Sequence, residues 1–488
     1  MKFLFKSDAS RKERANFAAF AVFMLLLFFM GGGSRPDLQS SILLRPIAAL
    51  FAIYAIAMMT RENLQFIRFP LIILGSIAVW MAIQLIPLPQ SIWSALPHRQ
   101  LYVDIQQAAG LGEVWRPISL DPARTWNSLY AIMVPIAGLL LFSLQPPRSY
   151  QRVLIVILSL SLLSAAWGIM QIASGPSGPL YLYRITNNGM LVGLFANRNH
   201  QALLLAMLIV MLAHFGSQRS GEGHMISPMR MWLSVLGCMV TLSLVLLTGS
   251  RAGLALSMVA MVIAIGLFYR GMALQTNTNR RRARSGLPVL RSLSPQKLIT
   301  IALGGVAVLI LGIFYYASRS TGLDRLVDNS ANFELRSQIA PILIQMARDF
   351  APLGSGFGSF QHVYLQYEPI DLLRVNYVNN AHNDIMQLLI EGGLPALLIA
   401  LGGLGYVGVI LWRLFRDRAA LWSGSWTRLS TIILCVSVLV FAVAGSIFDY
   451  PLRTPTLSTL VTIYVAILAV IAANPAPVYD SSRQRLSA

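Results

Sequence analysis

The sequence predicts an all-α polytopic membrane protein, with about 12 transmembrane helices and one large outer loop that contains short amphipathic helices. Three observations carry this expectation. First, 56% of the 488 residues are hydrophobic and only 12% are charged, against roughly 25% charged in an ordinary soluble domain; the mean hydropathy is +0.63. Second, the apolar residues come in continuous blocks of the length a helix needs to cross a ~30 Å hydrocarbon core, about 20 residues. A β-barrel would show alternating segments of about ten instead. Third, the charge is sorted. With both termini inside, the inner segments hold Lys2, Lys6, Lys12 and Lys297 and the run Arg280, Arg281, Arg282, Arg284, while acidic and basic residues nearly balance outside. That is the positive-inside pattern. A basic face beside anionic lipid therefore accounts for the net charge of +19, and no nucleic-acid partner is needed.

The blocks run over about 15–33, 41–59, 69–87, 127–145, 152–172, 199–214, 231–248, 252–269, 298–317, 394–412, 429–447 and 455–473. They divide the chain into an N-terminal bundle of about nine helices (1–317), an outer loop (318–393), and about three C-terminal helices with an inner tail (394–488). The first block ends in GGGSRPD without a small-x-small cleavage pattern, so it reads as a retained anchor. Cys238 and Cys435 both fall in apolar blocks and offer neither metal spacing nor a disulfide framework. No metal site and no cofactor is expected.

In the second helix, Arg45 sits about one turn below the outer surface. It can snorkel to the headgroups or line an outer cavity. The first outer loop, about 88–126, supplies Trp93, Trp115 and Trp126 for an interfacial aromatic belt, and its Asp121-Pro122 marks a helix start. The next outer loop, about 173–198, ends in Asn197-Arg198-Asn199-His200 where it enters the sixth helix. A helix N-terminus presents unpaired N–H groups and favours an anion, and Arg198 adds a fork suited to phosphate. The seventh and eighth helices meet in LLTGSRAGLAL, where Arg251 follows Gly249-Ser250. Two outer arginines at helix starts suit a diphosphate, whose charge one cation leaves largely uncompensated.

The stretch from 319 to 393 is too long for a connector and carries charges of both signs, which points to function. Its apolar spacing predicts an amphipathic helix at about 333–349, lying on the membrane or packing on the bundle, with Arg336 and Arg348 close to one face. PLGSGFGSF (352–360) reads as a turn and not a nucleotide fingerprint, because no strand precedes it. VNNAHNDIMQLLIEGG then starts a helix with Asn379 or Asn380 as N-cap, putting His382 in its first turn. Sharing one membrane face with Arg198 and Arg251, a neutral His382 is the candidate general base. His200 and Asn383 are candidate supporting residues beside Asn197, Asn199, Arg45 and Arg336. His362 reads as structural. In FDYPLR, Asp449 and Arg453 are expected to pair with each other.

Four motifs together, GLFANRNHQA (193–202), TGSRAG (248–253), PLGSGFGSF (352–360) and NNAHNDIMQLLIEGGLPALL (379–398), resemble those of the O-antigen ligase and O-antigen polymerase superfamily of bacterial envelope polysaccharide assembly. The resemblance implies a metal-independent, inverting glycosyltransferase of the bacterial inner membrane, with cytoplasmic termini and a periplasmic active site. Its donor would be an undecaprenyl-diphosphate-linked glycan and its acceptor lipid A-core or a growing glycan. Arg198 and Arg251 would grip the diphosphate, and His382 would take the acceptor proton. The branch stays open between ligase, polymerase and protein O-oligosaccharyltransferase. A transporter or flippase of lipid-linked sugars is the rival of another class, since about 12 spans and intramembrane arginines also suit an anion carrier.

Overall fold

The computed structural model describes residues 10–218, 227–283, 330–373, 378–416 and 425–473. Among them the regular structure is helical, and the one β-bridge, Leu88 with Arg116, stands alone. Eleven helical segments are long and apolar enough to span a membrane. In chain order the first are α1 (Arg11–Met30), α2 (Gln39–Met58) and α3 (Arg61–Ile83), then the short α4 (Gln90–Trp93) and α5 (Gln100–Ala108). A broken span made of α6 (Pro122–Ala131) and α7 (Met133–Ser143) comes next, then α8 (Tyr150–Ser174), α9 (Arg198–Gly216), α10 (Pro228–Thr248) and α11 (Arg251–Ala283). The chain ends with α12 (Ser330–Asp349), α13 (Phe360–Tyr364), α14 (Asp384–Arg416), α15 (Trp426–Phe448) and α16 (Pro455–Ala473). The expected ninth span, 298–317, lies outside the described residues. Helix α11 runs past the expected end of the eighth span into the basic connector.

Helix α9 is the centre of the bundle. Its sequence is apolar on every side, which in a bundle means burial all round, and nearly all of it is buried. It packs against α8, α10, α11 and α15. Small residues allow this closeness, as expected for helices packing in lipid. A side chain at Gly253 of α11 would run into the Ala202 Cβ of α9 at 2.3 Å. That contact draws the first turns of α9 and α11 together.

At one end of the bundle the connectors are stitched to one another. Ala196 donates to the Gly32 carbonyl (3.0 Å), Thr456 to that of Gly31 (3.1 Å), Leu120 to that of Ser355 (2.8 Å), and Asp384 to that of Asp449 (3.3 Å). Helix α12 packs against α14. Its Ile339, Leu343, Met346 and Phe350 pack with Phe360, Val363, Tyr364, Ala381 and Ile390 into a second apolar core. PLGSGFGSF folds back beneath that core as a structural turn. Gly354 adopts φ +80°, and a Cβ there would lie 2.4 Å from the Glu391 carbonyl oxygen. The turn meets α14 at its break, Gly393, with φ +63°. Trp80 Nε1 donates to the Gly392 carbonyl there (2.7 Å), and Gln84 Nε2 to those of Leu353 and Glu391 (3.0 Å each). Trp93 departs from the expected aromatic belt: it is buried, and its indole donates to the Val114 carbonyl (2.7 Å). Trp115 and Trp126 are exposed.

Candidate functional site

His382 is not inside a helix. Helix α14 begins two residues later, and its cap is Asn383, not Asn379 or Asn380: the Asn383 Oδ1 accepts from the Ile385 and Met386 amides at 3.0 Å each. The reason is a tertiary contact. The Asn383 amide group also reaches the Ile447 carbonyl (3.0 Å), and an Asn side chain folded onto the first turn halts the helix there. His382 is left at φ +50°, a left-handed backbone that costs a non-glycine residue energy and tends to persist where surrounding contacts demand it.

Those contacts come from Asp449, in the connector between α15 and α16. The His382 Nδ1 lies 3.1 Å from Asp449 Oδ1. The other carboxylate oxygen, Oδ2, accepts from the Asn197 Nδ2 (3.1 Å) and the Asn199 Nδ2 (2.7 Å). One buried carboxylate thus binds the histidine of one connector to the asparagines of another. Burial pushes the Asp449 carboxyl up, but the hydrogen bond and charge of His382, the charge of His200 and the Asn199 amide outweigh it and hold it well below the usual carboxylate range. Asp449 therefore stays ionised, able to fix the imidazole and to stabilise it once protonated. Tyr450 closes the back of the site, its ring 5.1 Å from that of His382 and 5.3 Å from that of His200. Burial and the Asp449 charge push the Tyr450 hydroxyl above its usual range, against the Asn197, Asn379 and Asn380 amides that face it. It remains a neutral phenol. His200 is fully buried and turns Nδ1 to the Thr454 hydroxyl (2.9 Å).

The arginines arrive from the side of α9. Arg198 is the first residue of that helix; Asn197 caps it by accepting from the Asn199 amide (2.8 Å), and the Arg198 amide donates to Asn187 Oδ1 (3.0 Å). The Arg198 guanidinium lies against Gly249, its Nη1 3.1 Å from where a Cβ would stand. Two residues on, Arg251 opens α11 and is exposed. Both cations thus flank one turn, next to the helix whose preceding residue, Asn197, touches Asp449.

Not every expected residue joins this group. Arg45 donates to Asn127 Oδ1 (2.5 Å), beside a separate cleft. Arg336 lies in the part of α12 whose side chains fall outside the described residues. Asp449 and Arg453 do not pair, because His382 and the two asparagines occupy the aspartate. Arg453 turns instead to Glu391 Oε2 (2.7 Å) and Asp384 Oδ1 (3.7 Å). His362 pairs with Asp121 (2.6 Å), away from His382. Asp449 is the candidate group that sequence reading did not assign to the site, and its one signal was an acidic residue in a short connector between two apolar helices.

Residues 236–401 match the family model described as O-antigen ligase. About a third of the chain is thus similar to the O-antigen ligase family. The matched segment includes Arg251, the glycine turn and His382, whereas Arg198 and Asp449 lie on either side of it. This match and the eleven apolar helices together support a multi-pass membrane protein related to the O-antigen ligases and polymerases. Among curated proteins, none matches the chain.

Proposed function

We propose that the chain is an inverting, metal-independent glycosyltransferase of the bacterial inner membrane. It would move a glycan from undecaprenyl diphosphate to an acceptor hydroxyl on the periplasmic side, with lipid A-core or a growing glycan as acceptor and both termini in the cytoplasm. The observation that carries this reading is the Asp449 carboxylate, which holds His382 on one oxygen and Asn197 and Asn199 on the other. It sets a proton acceptor beside the helix start that bears Arg198.

With Nδ1 turned to Asp449, Nε2 is the atom left to act. It takes the proton of the acceptor hydroxyl as that oxygen attacks the anomeric carbon. The bond from that carbon to the diphosphate oxygen breaks, and its electron pair leaves with the diphosphate. Arg198 and Arg251 stabilise the charge that develops there. Attack opposite the leaving group inverts the anomeric configuration. Asp449 offsets the imidazolium charge, as an orienting carboxylate does in a catalytic triad.

The test is transfer in vitro by the purified full-length protein from an undecaprenyl-diphosphate-linked glycan, with a metal chelator present. Wild type is expected to transfer, and His382→Ala to fall by about 10²–10⁴-fold, the usual contribution of a general base, while still binding donor. Undiminished activity in His382→Ala would overturn the assignment. Movement of the lipid-linked glycan across a bilayer without transfer would overturn the enzyme reading.

A further inference from the structure

A small cleft beside the start of α6 carries more positive charge than its neighbours neutralise. It is a cavity of about 140 Å³, and since one water needs about 10–15 Å³ of such space, it has room for one oxyanion with bound waters. Three arginines line it, Arg35, Arg124 and Arg453, against two carboxylates, Asp37 and Glu391. Both carboxylates are already taken. Arg35 grips Asp37 through two hydrogen bonds (3.0 and 3.1 Å), and Arg453 holds Glu391 (2.7 Å).

Arg124 is the cation left over. Among the described residues its guanidinium makes no hydrogen bond or ion pair. Asp121, three residues earlier, turns Oδ1 to the Arg124 amide (3.1 Å) and Oδ2 to His362 (2.6 Å). The Arg124 charge does act on Asp37: after the Arg35 hydrogen bond, the largest cause, it helps hold that carboxyl below the usual carboxylate range. Asp384 further offsets Arg453 (3.7 Å), whereas Arg45 adds a cation behind the wall, donating to Asn127 Oδ1 (2.5 Å). Arg124 and Asn127 are one turn apart on α6 and both face the cleft. With its oxygen bound to Arg45, Asn127 is left to donate from Nδ2. A guanidinium fork beside an amide N–H suits the oxygens of a carboxylate or phosphate.

We infer that this cleft binds a single oxyanion, a phosphate or carboxylate group, held by Arg124 and Asn127. The site is separate from the Arg198 and Arg251 pair, and Tyr450 stands between it and His382. The inference does not rest on the transferase reading. The oxyanion has two sources of the same chemistry, the headgroup of an anionic lipid or a group that is free or borne on a glycan. Lipid has access to the same two helices: Ile42 and Leu43, just before Arg45 on α2, and Trp126, next to Asn127 on α6, are exposed.

The test uses the full-length protein carrying Gln361→Cys, which puts a thiol on the cleft wall. Cys238 and Cys435 are buried, so a water-soluble maleimide reports on the new thiol. Labelling is timed in detergent with inorganic phosphate against chloride at equal pH and ionic strength. It is timed again in nanodiscs of phosphatidylcholine with and without phosphatidylglycerol. Saturable slowing by phosphate supports the site and assigns a free or glycan-borne anion; slowing by phosphatidylglycerol alone supports it and assigns a lipid headgroup. Slowing by neither overturns the proposal. Adding Arg124→Gln is expected to raise the half-saturating anion at least about tenfold, the effect of losing a hydrogen bond to a charged group. Slowing that survives Arg124→Gln overturns the site. Arg124→Lys keeps the charge but not the fork, and is expected to fall between wild type and Arg124→Gln. A lysine variant that saturates as wild type does shows a diffuse charge effect and also overturns the site.

Discussion

At the scale of single residues, the candidate chemistry depends on which partner each polar group finds. Asp449 illustrates the point, since it has three side-chain donors and all three belong to residues remote in sequence. Asp449→Asn keeps the shape of the connector but removes the charge opposite the imidazolium. It is expected to lower kcat by about 10²–10⁴-fold with little change in donor KM, by analogy with other orienting carboxylates. The same variant has a pH signature in stability. The folded protein holds this carboxyl below its unfolded value, so its stabilisation is present above the ordinary carboxylate range and is lost as pH falls towards the lowered value. The gap in thermal midpoint between wild type and Asp449→Asn is therefore expected to be wide at neutral pH and to narrow on acidification. Arg251→Ala is expected to act differently, weakening donor binding and leaving-group stabilisation together. A loss of about 10²–10³-fold in kcat/KM is the size of one missing oxyanion contact, and isotope-labelled donor binding measures the ground-state share.

At the scale of elements, the decisive feature is the break in α14. Gly393 takes φ +63°, and a Cβ there would stand 2.2 Å from the Pro352 carbonyl oxygen. Gly393→Ala therefore forces both a strained backbone and a backbone collision. It is expected to cost at least about 1–3 kcal/mol, seen as a lower thermal midpoint, with transfer lost because the Asp384 end of α14 carries the chain from His382. Arg453 braces the same element. Glu391 is wholly buried, so Arg453→Ala leaves an uncompensated carboxylate and is expected to destabilise by about 3–5 kcal/mol. Helix periodicity made α12 and the start of α14 legible to within a few residues. The N-cap was misplaced because three asparagines, Asn379, Asn380 and Asn383, offer the same local chemistry. Only the contact with Ile447 decides among them.

At the scale of the whole molecule, α9 organises the bundle, and Asn197, Arg198, Asn199 and His200 at its N-terminal end gather with Arg251, His382 and Asp449. The sorting of basic residues in the sequence favours the proposed orientation, with that end outside. A cysteine placed at Ser10 and one at Gln361 are expected to react with impermeant maleimide from opposite sides of intact inner-membrane vesicles. Labelling from the same side would contradict the topology.

The sequence by itself determined the class, the spans and the ligase resemblance, because hydropathy, helix length and charge sorting are additive properties that neighbours in the chain express together. It also marked His382, Arg198 and Arg251, each lodged in a local motif. Only the tertiary structure decided who partners whom. Asp449 reads locally as a mate for Arg453, four residues on, yet it lies 67 residues from His382 and about 250 from Asn197 and Asn199. Buried charges take the partners that packing brings within hydrogen-bond reach, and that choice is made where α9, α14 and the α15–α16 connector converge.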